Sequence, residues 1–479
     1  MTRFDPKIRR TFSGLLLAGS LIFSAGMPGT ALGQSTFGAL DQTSDVQLRF
    51  SAAEQNRPIL AGGEVVVAGQ GFRPGQQVTL LYGTTPLLGS ALVADGEGKI
   101  SGRITVPAQA VPGNHPIVVV AQGPYSATVA PLKVSPQIPL SGQERFEITE
   151  VRVARGLYQS AFSPRNNALF VTAAIGRPPV RQSELLRVNL ETLAVVARVT
   201  PQAAPAPAPR PGASAPADGG VYAVYGVGVD DVNDTVWVTN TRQNTVAVYR
   251  QADLSLVRQF EPGTVNHARD VVIDATLGKA YSSATFKPEV VVFNTRNPEV
   301  ASRIGIASRV RGGTFSAASL SLNAEAHRLY VVSNTTNEVA VINTETDQVE
   351  KIIPVPGARS AIGVSHDPRT NRIFVASQGS DNLVVLNGET GAVVADTLVG
   401  AGALNVVFDP VRRRAYVASR AAGTVTVTDA DGKIIANLGP APLANHVAVD
   451  RNGTVFAVDK SAAARNEEGD TILRIRPRS

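Results

Sequence analysis

The chain contains no cysteine. Disulfides, thiolate zinc sites, a cysteine nucleophile and a lipid-modified N-terminal cysteine are therefore excluded. Histidine is scarce, with five residues in 479. There is no G-x-S-x-G nucleophile elbow, no P-loop and no dinucleotide fingerprint in a strand–helix context. No apolar run reaches the roughly 20 residues that a membrane helix needs. Lysine is also rare, eight against 37 arginines, an imbalance we read as genome composition rather than function.

The N-terminus has the pattern of an export signal. Arg3, Lys7, Arg9 and Arg10 form a basic region ahead of a short apolar run, Gly14 to Met27. Ala31-Leu32-Gly33 places small residues before a cut at Gln34, so residues 1–33 are expected to be removed. A retained anchor is the alternative, and RRTFS at Arg9 partly matches a twin-arginine signal. The expected location is the periplasm or the medium. The leader carries four basic residues and one acid, so the rest of the chain has 41 Lys+Arg against 38 Asp+Glu, a net charge of +3. Net charge thus gives no support to a nucleic-acid partner; only a clustered patch can.

Residues 45–136 alternate apolar and polar residues in short runs separated by turn signals such as GFRPG at Gly71 and DGEG at Asp95. Seven short strands at Val46, Gly63, Gln77, Ser90, Lys99, His115 and Ser126 suit a small Ig-like β-sandwich. The GF-x-PG-x-x-V signature, with the later ADG-x-G, resembles the Ig-like modules of bacterial exported proteins. There is no Cys–Trp–Cys core of the antibody type.

The rest of the chain repeats. An aromatic residue opens a short apolar strand seven times: Phe170, Trp237, Tyr281, Tyr330, Phe374, Tyr416 and Phe456. The spacings are 67, 44, 49, 44, 42 and 40. A strand-like unit of this period predicts a β-propeller, each blade having four strands with the aromatic on the second. Residues 403–438 read most clearly: ALNVVFDP, AYVASR, TVTVTD and KIIANL. The long first spacing holds PQAAPAPAPRPGASAPADGG at 201–220, which is expected to be a solvated loop. WVTN at Trp237 with TVAVY, and YVVSN at Tyr330 with VAVINTETDQV, resemble the YVTN-repeat β-propellers. The whole region, about 145–479, is most similar to the exported YncE-like group.

The last unit has strands at Asn445, Thr454 and Thr471 but no fourth. FEITEVRV at Phe146 has no unit of its own, so it is expected to supply that strand. The fold class read from sequence is therefore all-β: a seven-bladed propeller closed by its N-terminal strand, preceded by a small Ig-like sandwich.

In such a ring, ligands meet the axial funnel at the starts of the innermost strands. The residues there are Tyr158, Tyr225, Arg269, Asp270, Arg359, Asn405 and His446, with Gln159, Thr314, Ser360 and Asn445 beside them. Two arginines, two tyrosines and a carboxylate can grip an anion, a sugar or a base edge; alternatively they line a wet channel and satisfy one another. His267 and His446 are too few for an ordinary zinc or copper site, while His327 and His366 fall in expected turns. No metal, cofactor or catalytic residue is assigned. The resemblance implies single-stranded DNA as a candidate partner, and for it the densest cluster is Arg412, Arg413 and Arg414 beside Tyr416. The function expected is an exported, non-enzymatic binding or scaffold protein for a protein, a cell-envelope polymer or single-stranded DNA. The alternative is a funnel-based lyase or lactonase-like enzyme resting on His446, His267 and Asp270.

Overall fold

Alternating apolar and polar residues make strands, and the computed structural model of the chain is built almost wholly from them. It describes residues 40–41, 45–206, 218–461 and 469–478. The expected export signal lies outside the described residues, as do residues 207–217 of the Pro/Ala-rich insertion. Helix among the described residues amounts to two short 3-10 turns, Gln143–Arg145 and Thr241–Gln243.

Residues 47–134 form two antiparallel sheets. Gln47–Ala52, Glu64–Gln70 and Ile100–Thr105 make the first. Gln77–Tyr82, Gly113–Gln122 and Ser126–Val134 make most of the second. Val65, Val67, Val78, Leu80, Ile117 and Val119 point from both sheets into one core. The strand expected at Ser90 shrinks to Leu92–Val93. The chain turns away there, because Ala94 donates to the Gln76 carbonyl and Asp95 accepts from the backbone of Glu97 and Lys99.

Seven four-stranded antiparallel sheets follow. The first six span residues 157–199, 227–259, 268–305, 317–354, 361–398 and 403–438, each in chain order. The seventh runs Ala444–Val449, Val455–Asp459, Thr471–Pro477 and then Phe146–Arg152, taken from far upstream. Thr471 faces Arg152 and Pro477 faces Phe146 in this register.

Burial grades across each sheet. Second strands are buried at nearly every position, as in Thr235–Asn240, because both of their faces are covered. Fourth strands such as Val195–Val199 alternate half-buried and exposed. The repeated aromatics are the bolts between sheets. Trp237 of the second sheet meets Phe293 of the third at 5.5 Å, and Phe374 of the fifth stacks on Phe408 of the sixth at 4.9 Å. Phe456 of the seventh sheet shares a core with Leu157, Leu169 and Val171 of the first. Just ahead of the innermost strand of the second sheet, a Cβ on Gly226 would lie 2.5 Å from the Arg269 carbonyl, so only glycine permits that approach.

The N-terminal unit touches the fifth and sixth sheets. Lys133 Nζ lies 2.8 Å from Asp381 Oδ1, which also accepts the Gly402 N–H at 2.7 Å. Asn114 reaches the Gly379 carbonyl, and Asn437 Nδ2 donates to the Ile138 carbonyl of the connecting segment.

Phe146 is buried, 6.4 Å edge-on from Tyr416. Phe146→Ala is expected to cost about 3–5 kcal/mol, read as a lowered urea midpoint with an unchanged slope. Removing residues 146–152 would expose the Thr471–Pro477 edge, and an insoluble or unfolded product is expected.

Candidate functional site

Antiparallel pairing fixes which loops share an end. In every sheet, the connection from the preceding sheet and the loop between the second and third strands emerge together. The turns between first and second strands emerge at the other end with those between third and fourth.

At the first end lies a cleft of about 450 Å³. Arg155, Tyr158, Tyr225, Arg242, His267, Arg420, Lys460 and Asp470 line it, from the first, second, third, sixth and seventh sheets. Tyr158 and Tyr225 meet edge-on, with centroids 4.9 Å apart at 82°. Lys460 Nζ sits 4.9 Å from the Tyr158 ring and the Arg242 guanidinium 5.9 Å from the Tyr225 ring, both within cation–π range. Burial, followed by Arg420, lowers the Lys460 ammonium to about 8; Arg242 adds to this and Asp470 opposes it. Asp470 accepts the N–H groups of Gly156 (2.6 Å) and Leu157 (3.1 Å), tying the seventh sheet to the first. At the rim, His267 stacks on Phe286, which is 71% exposed, with centroids 4.2 Å apart. Burial, then Arg242 and Arg269, lowers the His267 pKa.

Some of the expected funnel residues line the cleft, and others link neighbouring strands. Tyr158 and Tyr225 are in the cleft. Asp270 Oδ2 accepts the Leu320 N–H of the next sheet at 3.0 Å, and burial raises its carboxyl above the usual range. Asn405 Oδ1 accepts the Val447 N–H at 2.9 Å. Both act as links between neighbouring innermost strands, whose inner edges have no strand partner. Gln159 and Asn445 do the same, toward Val227 and the Tyr158 carbonyl. His446 Nδ1 accepts the Ser160 N–H at 3.4 Å, which leaves its proton on Nε2. Burial, aided by Arg269, lowers His446 to about 3, so it is neutral at ordinary pH. Arg359 is exposed and lines no part of the cleft; its backbone N–H donates to Ser380.

The arginine cluster lies at the opposite end. Arg412 donates to the Asn452 carbonyl at 2.5 Å and Arg413 pairs with Asp367 at 2.7 Å. The Arg414 guanidinium lies 5.9 Å from the Phe146 ring. Tyr416 is fully buried, so the expectation that its ring would stack a base is corrected: period two turns it into the core beside Phe146. His366 is corrected as well, lying on the strand Ala361–Asp367 with its ring 4.3 Å from that of Tyr330. Among the described residues, no three His, Asp or Glu side chains converge as a metal site.

Arg242, Arg420 and Lys460 escaped the reading by residue type. Their signal was positional: each follows the second-strand motif directly or one residue on, as WVTN-Thr-Arg242, YVAS-Arg420 and FAVD-Lys460.

No family model matches the chain. It is 22% identical over 340 residues to "Uncharacterized protein YncE" of Salmonella typhimurium, covering 67% of this chain and 89% of that protein. The protein of the same name from Salmonella typhi matches equally. The structure is similar to β-propeller proteins. Virginiamycin B lyase from Staphylococcus aureus aligns with TM-score 0.51 at 11% identity, over 69% of this chain and 99% of that one. Kuenenia stuttgartiensis hydrazine synthase aligns with TM-score 0.54 at 13% identity, over 68% and 98%. At these identities the likeness is one of fold.

His446 makes stability depend on pH with a definite sign. Its folded pKa is below the unfolded value of about 6.5, so the unfolded chain takes up that proton first. The contribution is present above that value and is lost as pH falls toward about 3. Asp270, shifted upward, acts in the opposite sense. Urea midpoints at pH 7 and pH 4.5 are expected to differ less in His446→Asn than in the unsubstituted protein.

Proposed function

We propose that the chain is an exported, non-enzymatic binding protein whose cleft takes an anion that carries a planar ring. Residues 1–33 act as the export signal, and the mature protein works in the periplasm or outside the cell. The seven sheets are the seven blades of a closed propeller spanning 145–479, and 45–136 is an Ig-like module seated at the cleft end. The observation that carries this reading is the cleft itself, where Arg155, Arg242, Arg420 and Lys460 gather around an edge-on tyrosine pair. Like charges in a half-buried site repel one another and favour an anion between them.

Single-stranded DNA offers phosphates and ring faces together, and the cleft's mixture of cations and aromatic rings suits it. The exposed Phe286 at the rim adds a further ring face. An envelope polymer or a protein partner would have to use the same cations. The enzyme alternative is less well supported. Asp270 and His446 hold backbone N–H groups of neighbouring strands, which leaves them poorly placed as acid or base.

Fluorescence anisotropy of a labelled oligothymidine tests the reading. The double variant Arg242→Ala/Arg420→Ala is expected to weaken binding and to lower the salt slope by about 1.4, two phosphate contacts at roughly 0.7 each. Arg412→Ala, at the opposite end, is expected to leave both unchanged. Binding that responds only to Arg412→Ala would overturn the assignment.

A further inference from the structure

Within the cleft, one side chain differs in kind from the others. Arginine stays charged under all ordinary conditions, whereas a lysine can lose its proton and become a nucleophile. Lys460 lies at the end of the second strand of the seventh sheet, half-buried, with its Nζ over the face of Tyr158. Arg420 and Arg242 face it from the sixth and second sheets, and both disfavour its charged form. Asp470 shares the cleft and favours the charged form, but that carboxylate already accepts two N–H groups from the first sheet. Its effect on Lys460 is smaller than that of burial or of Arg420. Arg155 lines the same cleft as a further cation, and Tyr225 and His267, also in it, carry no negative charge at neutral pH. An amine held at about 8 among fixed positive charges is the arrangement that activates lysine toward carbonyl carbon.

We infer that Lys460 captures carbonyl-bearing anions as a reversible imine, with Arg242 and Arg420 holding the anionic group. The ligand class is an aldehyde or a 2-oxo acid that bears a carboxylate or phosphate. The inference rests on the reading of the cleft as an anion site. The step balances without any oxidant or reductant. The neutral Nζ forms a bond to the carbonyl carbon, and a proton passes from nitrogen to oxygen to give a carbinolamine. A second proton carries that oxygen away as water as the C=N bond forms. Hydrolysis reverses each step and releases the ligand unchanged. The amine lone pair is the sole electron donor, so the charged form of Lys460 binds an anion but forms no bond.

Pyridoxal 5′-phosphate is the probe, since it joins an aldehyde, a ring and a phosphate. Pyridoxine 5′-phosphate, which lacks the carbonyl, reports the anion site alone. The full-length exported protein is incubated with the aldehyde, reduced with borohydride, digested and mapped by mass spectrometry. Expected is a saturable adduct on Lys460, blocked by excess pyridoxine 5′-phosphate and increasing as pH rises through about 8. Lys460→Arg is expected to abolish the adduct, whereas Arg412→Ala, at the opposite end, is expected to leave both the adduct and pyridoxine 5′-phosphate binding unchanged. Unphosphorylated pyridoxal is expected to label at least tenfold less well at equal concentration. Adduct spread over the other lysines, or undiminished in Lys460→Arg, overturns the inference while retained pyridoxine 5′-phosphate binding leaves the anion site standing. Loss of pyridoxine 5′-phosphate binding in the unsubstituted protein overturns the anion site as well.

Discussion

The antiparallel pairing of Phe146–Arg152 with Thr471–Pro477 joins the start of the repeat region to its end, and the remaining contacts rely on that junction. A four-stranded sheet with its outer strand missing exposes a row of unpaired N–H and C=O groups. Filling that position from upstream brings Leu157 of the first sheet against Phe456 of the seventh. It also puts Asp470 within reach of the Gly156 and Leu157 N–H groups, so the same junction forms one wall of the cleft.

Polar side chains tie each sheet to the next at the end opposite the cleft. Ser163 meets Asp231, Asn233 meets Thr295, Thr344 meets Asp274 and Tyr330 meets His366. Arg413 meets Asp367, Arg412 meets the Asn452 carbonyl, and Arg474 meets the Glu191 carbonyl back on the first sheet. At the cleft end the N-terminal unit is anchored through Lys133 and Asp381. Polar groups hold neighbouring sheets in register at both ends, as Asp470 does for the seventh and first sheets at the cleft.

Much of the fold was legible because strand patterning is local. Phe374 and Trp237 announce buried second strands through two-residue alternation and a fixed period, and the absent strand after Thr471 could be counted. The candidate site was less legible. Asp270 and Asn405 have the residue types of ligand binders, yet the bare inner edge of each first strand claims them, a demand that composition does not express. Tyr416 sits beside three arginines in sequence but faces the other way in space.

The sequence alone determined an all-β chain with a repeating strand unit, the aromatic positions that pack between sheets and the upstream strand left over for the last one. These follow from side-chain period and from counting strands. Only the tertiary structure decided which charges meet. Arg242, Arg420 and Lys460 are separated by 178 and 40 residues along the chain, and they share a cleft because the second, sixth and seventh sheets present their loops at one end. Electrostatic coupling depends on distance through space and on burial, so the lowered pKa of Lys460 belongs to the assembled fold and to no stretch of sequence.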